Sequence, residues 1–259
     1  MTYVDVVLTG VINFGLFGAV MLVRYAIHEE GPDAFLIHGD GRGLLLFAEG
    51  CLLAAAVTAF RCALLVRWGK ASVYLNPQAW PGTLGMAGAL VFGFSGVALF
   101  EEGLFRGYLL QVVARRYPLH VSVAGTSLLF GLLHFASYSW SRVVWLGILN
   151  ASALGAILSG FVLKTHSLML ALGYHLSWNV VQALLWDSRR LGDQPWVRLE
   201  VQGGLLAGDP ASPETGLATT LAILLTLAFL LVRFGAAGAS RGANGRGRDS
   251  KDAIPSLGK

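Results

Sequence analysis

The chain has 259 residues, 55% of them hydrophobic and only 13% charged, with a mean hydropathy of +0.62, whereas about 25% charged is usual for a soluble domain. That excludes an ordinary soluble globule, a disordered protein and a nucleic-acid binder. The net charge of +4 does not reopen the last of these, because five of the 19 basic residues (Arg241, Arg246, Arg248, Lys251, Lys259) belong to the C-terminal tail.

A hydrocarbon core of about 30 Å takes roughly 20 mostly apolar residues per helix, and runs of that size, broken by charges or Gly/Pro clusters, predict seven or eight helices. The first, Val4 to Ile27, lacks a basic leader and a small-residue cleavage site, so it is expected to stay in the membrane. The second, about Gly43 to Trp68, carries Glu49 and Arg61, each expected near an interface or snorkelling toward it. Cys51 and Cys62 in the same run read as small core residues. A polar connection with Lys70, Asn76-Pro77 and Pro81-Gly82 leads to the third run, Thr83 to about Leu110, which is apolar until Glu101. The runs Val121 to Ser137, Val143 to Leu163, Leu168 to Trp186 and Leu217 to Phe234 follow. The segment 236–259 is Gly-, Arg- and Ser-rich without apolar period and is expected to be disordered. The reading is therefore all-α: a polytopic transmembrane bundle of about seven to eight helices with a polar intramembrane cavity. Its parts are two N-terminal helices in 1–80, a core in 81–235 and a basic tail in 236–259.

Smaller signals refine this picture. Gly147, Ala151, Gly155 and Ser159 recur every four residues, a face that lets another backbone approach closely. Asn150 beside it reads as an interhelical hydrogen bond. Trp140, Trp145, Trp178 and Trp186 fall near predicted helix ends, where an aromatic belt would place them. His28, His38, His120 and His166 lie in loops or at helix ends and are expected to be solvated. Lys and Arg in the short loops do not fix the orientation, since the two sides balance once the tail is left out.

Ionisable groups inside membrane helices cost several kcal/mol unless they pair or line a wet cavity. The strongest cluster is Glu101-Glu102-Gly103-Leu104-Phe105-Arg106-Gly107. Glu102 and Arg106 stand at i, i+4 and can pair. Glu101 is rotated by about 100° from Glu102 on a helix, which leaves it free for chemistry. Gly103 and Gly107 give a small face one turn apart. Two polar pairs follow on separate helices, Phe130-x-x-x-His134 and His175-x-x-x-Asn179. A carboxylate beside imidazoles can hold a water, take its proton and drive it onto a carbonyl, while an Asn amide stabilises the oxyanion. Alternatively, Glu101, His134 and His175 are three ligands of a catalytic zinc with an open position. Both routes hydrolyse an amide bond. No HExxH, GxSxG or Cys/His signature points to a helix-borne zincin or a covalent nucleophile.

In that order on successive membrane helices, these motifs resemble the three motifs of the CPBP family of intramembrane proteases. That family includes type II CAAX prenyl endopeptidases, and its bacterial members are linked to bacteriocin processing and self-immunity. The resemblance covers roughly 80–235; residues 1–80 match no motif. It implies that Glu101 activates water with His134 and that His175 and Asn179 complete the site and bind the oxyanion. Glu102, Arg106 and Phe130 are implied as supporting residues. The substrate it implies is a membrane-associated peptide or protein, cleaved by a multi-pass protein of the bacterial inner membrane, within the lipid bilayer. The cofactor stays open between a divalent metal such as zinc and none, with water activated by glutamate. The segment from Gly208-Asp209-Pro210 to Pro213-Glu214-x-Gly216 also resembles one that often precedes the last helix in bacterial members. Two other readings compete with the protease. One is a non-enzymatic scaffold or immunity protein that binds a partner in the same cavity. The other is a proton-coupled transporter, which should show paired halves with broken helices, and no such symmetry is present in the sequence.

Overall fold

The computed structural model describes residues 3–76, 80–138, 140–186 and 197–242. Among them are seven helical rods. The rods are α1 (Tyr3–His28), α2 (Gly41–Arg67), α3 (Trp80–Glu102), α5 (Leu119–Leu133), α6 (Val144–Thr165), α7 (Met169–Trp186) and α8 (Leu217–Gly242). α3 continues without a break through a π-helical stretch, Gly103–Leu109, into the short α4 (Leu110–Ala114). Six rods are long and apolar enough to cross a membrane. The chain is an all-α, integral multi-pass bundle. The rod outside that set is α7, expected as a span. It carries Tyr174, His175, Asn179 and Gln182, and most of its residues are buried by its neighbours.

α2 packs on α7, α1 on α3 and α5 on α6, with α8 closing against α2 and α6. The α2–α7 crossing is a backbone contact, because a Cβ at Gly173 would overlap the Phe47 carbonyl and one at Gly50 the Leu170 carbonyl. Small residues give membrane helices this approach. The main core gathers Leu46, Ala54, Leu158, Phe161, Leu170 and Tyr174 between these rods. Leu22, Leu52, Leu149 and Val232 remain exposed on the outside, as helices facing lipid should leave them. Asn150 makes the expected interhelical bond, accepting from the Thr220 hydroxyl at 2.8 Å.

Three expectations need correction. Arg61 does not snorkel; it is 1% exposed. The Trp178 and Trp186 rings, expected in an interfacial belt, lie against its guanidinium at 4.9 and 4.3 Å and are themselves buried. Buried arginine is tolerated here because it stacks between two aromatic faces and donates to Thr219 and Gln182. Glu49 pairs with Arg233 at 3.1 Å on the surface. The last helix runs past 235 to Gly242, and the rest of the expected tail, 243–259, lies outside the described residues. The sequence also concealed a two-stranded antiparallel sheet, β1 (Ala71–Leu75) with β2 (Val197–Val201), in register Ala71↔Val201 to Leu75↔Val197.

Candidate active site

Glu101 and Glu102 end α3 where the helix widens into the π-helical stretch. A π turn replaces i→i−4 bonds by wider ones and frequently marks functional positions. Glu102 is fully buried and doubly engaged. Its Oε1 accepts from Arg106 Nη1 at 2.8 Å and from His175 Nδ1 at 2.8 Å. Arg106 in turn donates to the Gly155 carbonyl at 2.9 Å and stacks on Phe130, 4.5 Å from its ring centre. The small face of α6 therefore serves to admit a guanidinium: a Cβ on Gly155 would sit 3.1 Å from Arg106 Nη2. The other small pair, Gly103 and Gly107, receives the Phe17 and Phe35 rings.

The π-helical stretch is clamped from outside. Arg24, buried at the end of α1, donates to the Gly107 carbonyl, to Gln111 Oε1 at 3.0 Å and to Glu30 at 2.7 Å. Glu30 also accepts from Arg115 at 2.6 Å. Burial raises the Glu30 carboxyl somewhat, but the bonds and charges of Arg24 and Arg115 outweigh it and hold the group below the ordinary carboxylate range.

Glu101 has no such commitments. Its Oε2 is buried without a hydrogen-bond partner and lies 3.7 Å from His175 Nε2, beyond hydrogen-bond reach. With Nδ1 donated to Glu102, His175 presents Nε2 toward Glu101. His134 follows the same logic at the end of α5. Its Nδ1 donates to the Phe130 carbonyl at 2.8 Å, which leaves Nε2 as the reactive nitrogen. A cavity of about 280 Å³ is lined by Glu101, His134, His175 and Asn179 together. The structure thus brings the four expected site residues to one space, with Glu102, Arg106 and Phe130 packed behind them. The three candidate ligands do not converge as a metal site: among the described residues no group of three His, Cys, Asp or Glu is placed to hold one ion.

A third glutamate joins them. Glu214, in a single turn of 3-10 helix (Pro213–Thr215), lines the same cavity as well as an adjoining one of about 30 Å³ beside His134. Its Oε1 accepts from Trp178 at 2.8 Å and Gln182 at 3.0 Å, and its Oε2 from the Tyr138 hydroxyl at 3.0 Å. Its backbone carbonyl accepts from Asn150 at 2.8 Å. Burial opposes its charge. Yet the neighbouring His134, the Trp178 and Gln182 bonds and the charge of Arg61 hold its carboxyl below the usual range. Burial, and then the Glu214 carboxylate itself, push the Tyr138 phenol far up, so it stays protonated and donates to Glu214. Sequence reading noticed Glu214 only as part of a segment. The signal that would have found it is a lone acid in a Gly/Pro stretch abutting a membrane helix, where a charge needs a partner. Tyr138 and Gln182 carried no such signal.

Residues 82–181 match the family model described as type II CAAX prenyl endopeptidase Rce1-like. No curated protein and no solved structure matches the chain significantly. The matched segment contains all three motifs.

Proposed function

We propose that the chain, whose residues 82–181 match the family model described as type II CAAX prenyl endopeptidase Rce1-like, is an intramembrane endopeptidase in which Glu101 activates the attacking water. The observation that carries the reading is the contrast between neighbouring carboxylates. Each keeps one buried oxygen without a partner among the described residues, but Glu102 is tied through its other oxygen to Arg106 and His175, whereas Glu101 lines the cavity with His134, His175 and Asn179. A base must be uncommitted to take a proton.

In the proposed reaction a water lies between Glu101 and His134 Nε2. Glu101 takes one proton as the water oxygen bonds to the peptide carbonyl carbon, and the C=O π pair moves onto oxygen. The Asn179 amide and His175 Nε2–H, when His175 is protonated, donate to this oxyanion. The intermediate collapses with cleavage of the C–N bond, and the proton held on Glu101 goes to the leaving nitrogen. The products are an acid and an amine, and the carboxylate is restored. Because the donor set does not converge on one ion, no step is routed through a metal.

The substrate class is a membrane-associated peptide or protein, and the location we assign is the inner membrane of a bacterium. The test is cleavage of a quenched farnesylated CAAX peptide and a library of membrane-anchored peptides by purified protein. Glu101→Gln should abolish cleavage without altering the thermal midpoint; cleavage retained by Glu101→Gln would overturn the mechanism.

A further inference from the structure

A second concavity, of about 430 Å³, adjoins the catalytic cavity, and the two share Trp186 and Pro210 as a common wall. Its floor is one face of the two-stranded sheet. Ser72 stands opposite Glu200 and Tyr74 opposite Arg198, so these four share a face. On the reverse face Ala71 and Leu199 are packed into the protein, while Val73 and Leu75 are exposed. Two N–H donors here have no acceptor among the described residues. The Trp186 side chain is more than nine-tenths buried and its indole N–H is unpaired, and Arg198 Nε is likewise buried and unpaired. A buried donor left unpaired costs about 1–3 kcal/mol. No third strand flanks β1 or β2 among the described residues.

We propose that this trough docks the extended polypeptide segment that flanks the cleaved bond. The Trp186 and Arg198 N–H groups bind its backbone carbonyls, and the sheet lies alongside it. The proposal rests on the endopeptidase reading of the adjoining cavity. The charge of Arg198 is already matched by Glu200, and its guanidinium lies over Tyr74. What remains for a ligand is neutral hydrogen-bond donation, which suits an uncharged peptide carbonyl better than a phosphate. Length agrees as well. His175 and Trp186 are eleven residues apart on α7, about 16 Å at the helical rise, and an extended chain covers that in about five residues. Recognition therefore begins about five residues from the scissile bond.

The test uses the non-cleaving Glu101→Gln protein in nanodiscs, with a benzoylphenylalanine photocrosslinker in place of Ser72. The probe is a single-span model peptide with a polar tail of about ten residues, about twice the length needed to span from His175 to Trp186. Crosslinking of the tail is expected. Trp186→Phe, which keeps an aromatic face but loses the indole N–H, and Arg198→Lys, which keeps the charge but loses the Nε–H, should each weaken it about fivefold, the worth of one hydrogen bond, with the thermal midpoint still above the assay temperature. No peptide crosslink, crosslinks to lipid alone, or variants that bind as well as the parent would overturn the proposal. None of these outcomes bears on whether Glu101→Gln abolishes cleavage, so the two readings fail separately.

Discussion

Glu102 and His175, 73 residues apart in the chain, meet at 2.8 Å between Oε1 and Nδ1. This single bond joins the first motif to the third, fixes the tautomer of His175 and turns its Nε2 toward Glu101. It also means that the paired glutamates differ in kind. Glu102→Gln removes the counter-charge of a buried arginine, and breaking a buried pair in this way costs about 3–5 kcal/mol. The thermal midpoint in detergent should fall markedly for Glu102→Gln and barely move for Glu101→Gln. Equal midpoints would contradict the division of labour.

Glu214 faces the same cavity and is held by three donors. Glu214→Gln keeps its shape and lets the Tyr138 hydroxyl turn to accept, so the loop stays in place while a negative charge beside His134 is lost. The expected result is a kcat reduced at least tenfold, about 1.4 kcal/mol, with KM within a factor of two. A wild-type kcat would show that Glu214 only holds the loop.

The Arg24–Glu30–Arg115 cluster ties α1 to the π-helical stretch behind the site. The Glu30 carboxyl is depressed in the folded protein, so its contribution to stability is fully present above the ordinary carboxylate range. It is lost as pH falls through the lowered value. The midpoint difference between wild type and Glu30→Gln should be constant near neutral pH and shrink below about pH 4. A difference that grew on acidification would reverse the sign of this argument.

Gly173 allows α7 to touch the backbone of α2 at Phe47. Because the opposing atoms are main chain, they cannot rotate aside, and overpacking of this kind costs about 1–3 kcal/mol. Gly173→Ala should lower the thermal midpoint, whereas Gly125→Ala, with open space around it, should not.

The helices were legible because a bilayer demands long apolar runs, and the Glu102–Arg106 pair because helical geometry alone puts i and i+4 together. Residues meeting across the fold were not. The His175–Glu102 bond and the Trp178–Arg61–Trp186 stack join separate helices, so spacing within one run gave no hint of either. Arg61 was expected near an interface or snorkelling toward it; the acceptors that let it stay buried come from Gln182 and Thr219 on other helices. The sheet escaped because five-residue strands carry little periodicity, and β1 and β2 are separated by four helical rods.

The claim at the centre is that Glu101 activates the water. The most direct measurement compares peptide cleavage by purified wild type and Glu101→Gln, each with and without a strong chelator. The account predicts turnover by wild type that survives chelation and none by Glu101→Gln. Cleavage that stops with chelator and returns on adding zinc, or that persists in Glu101→Gln, would contradict it.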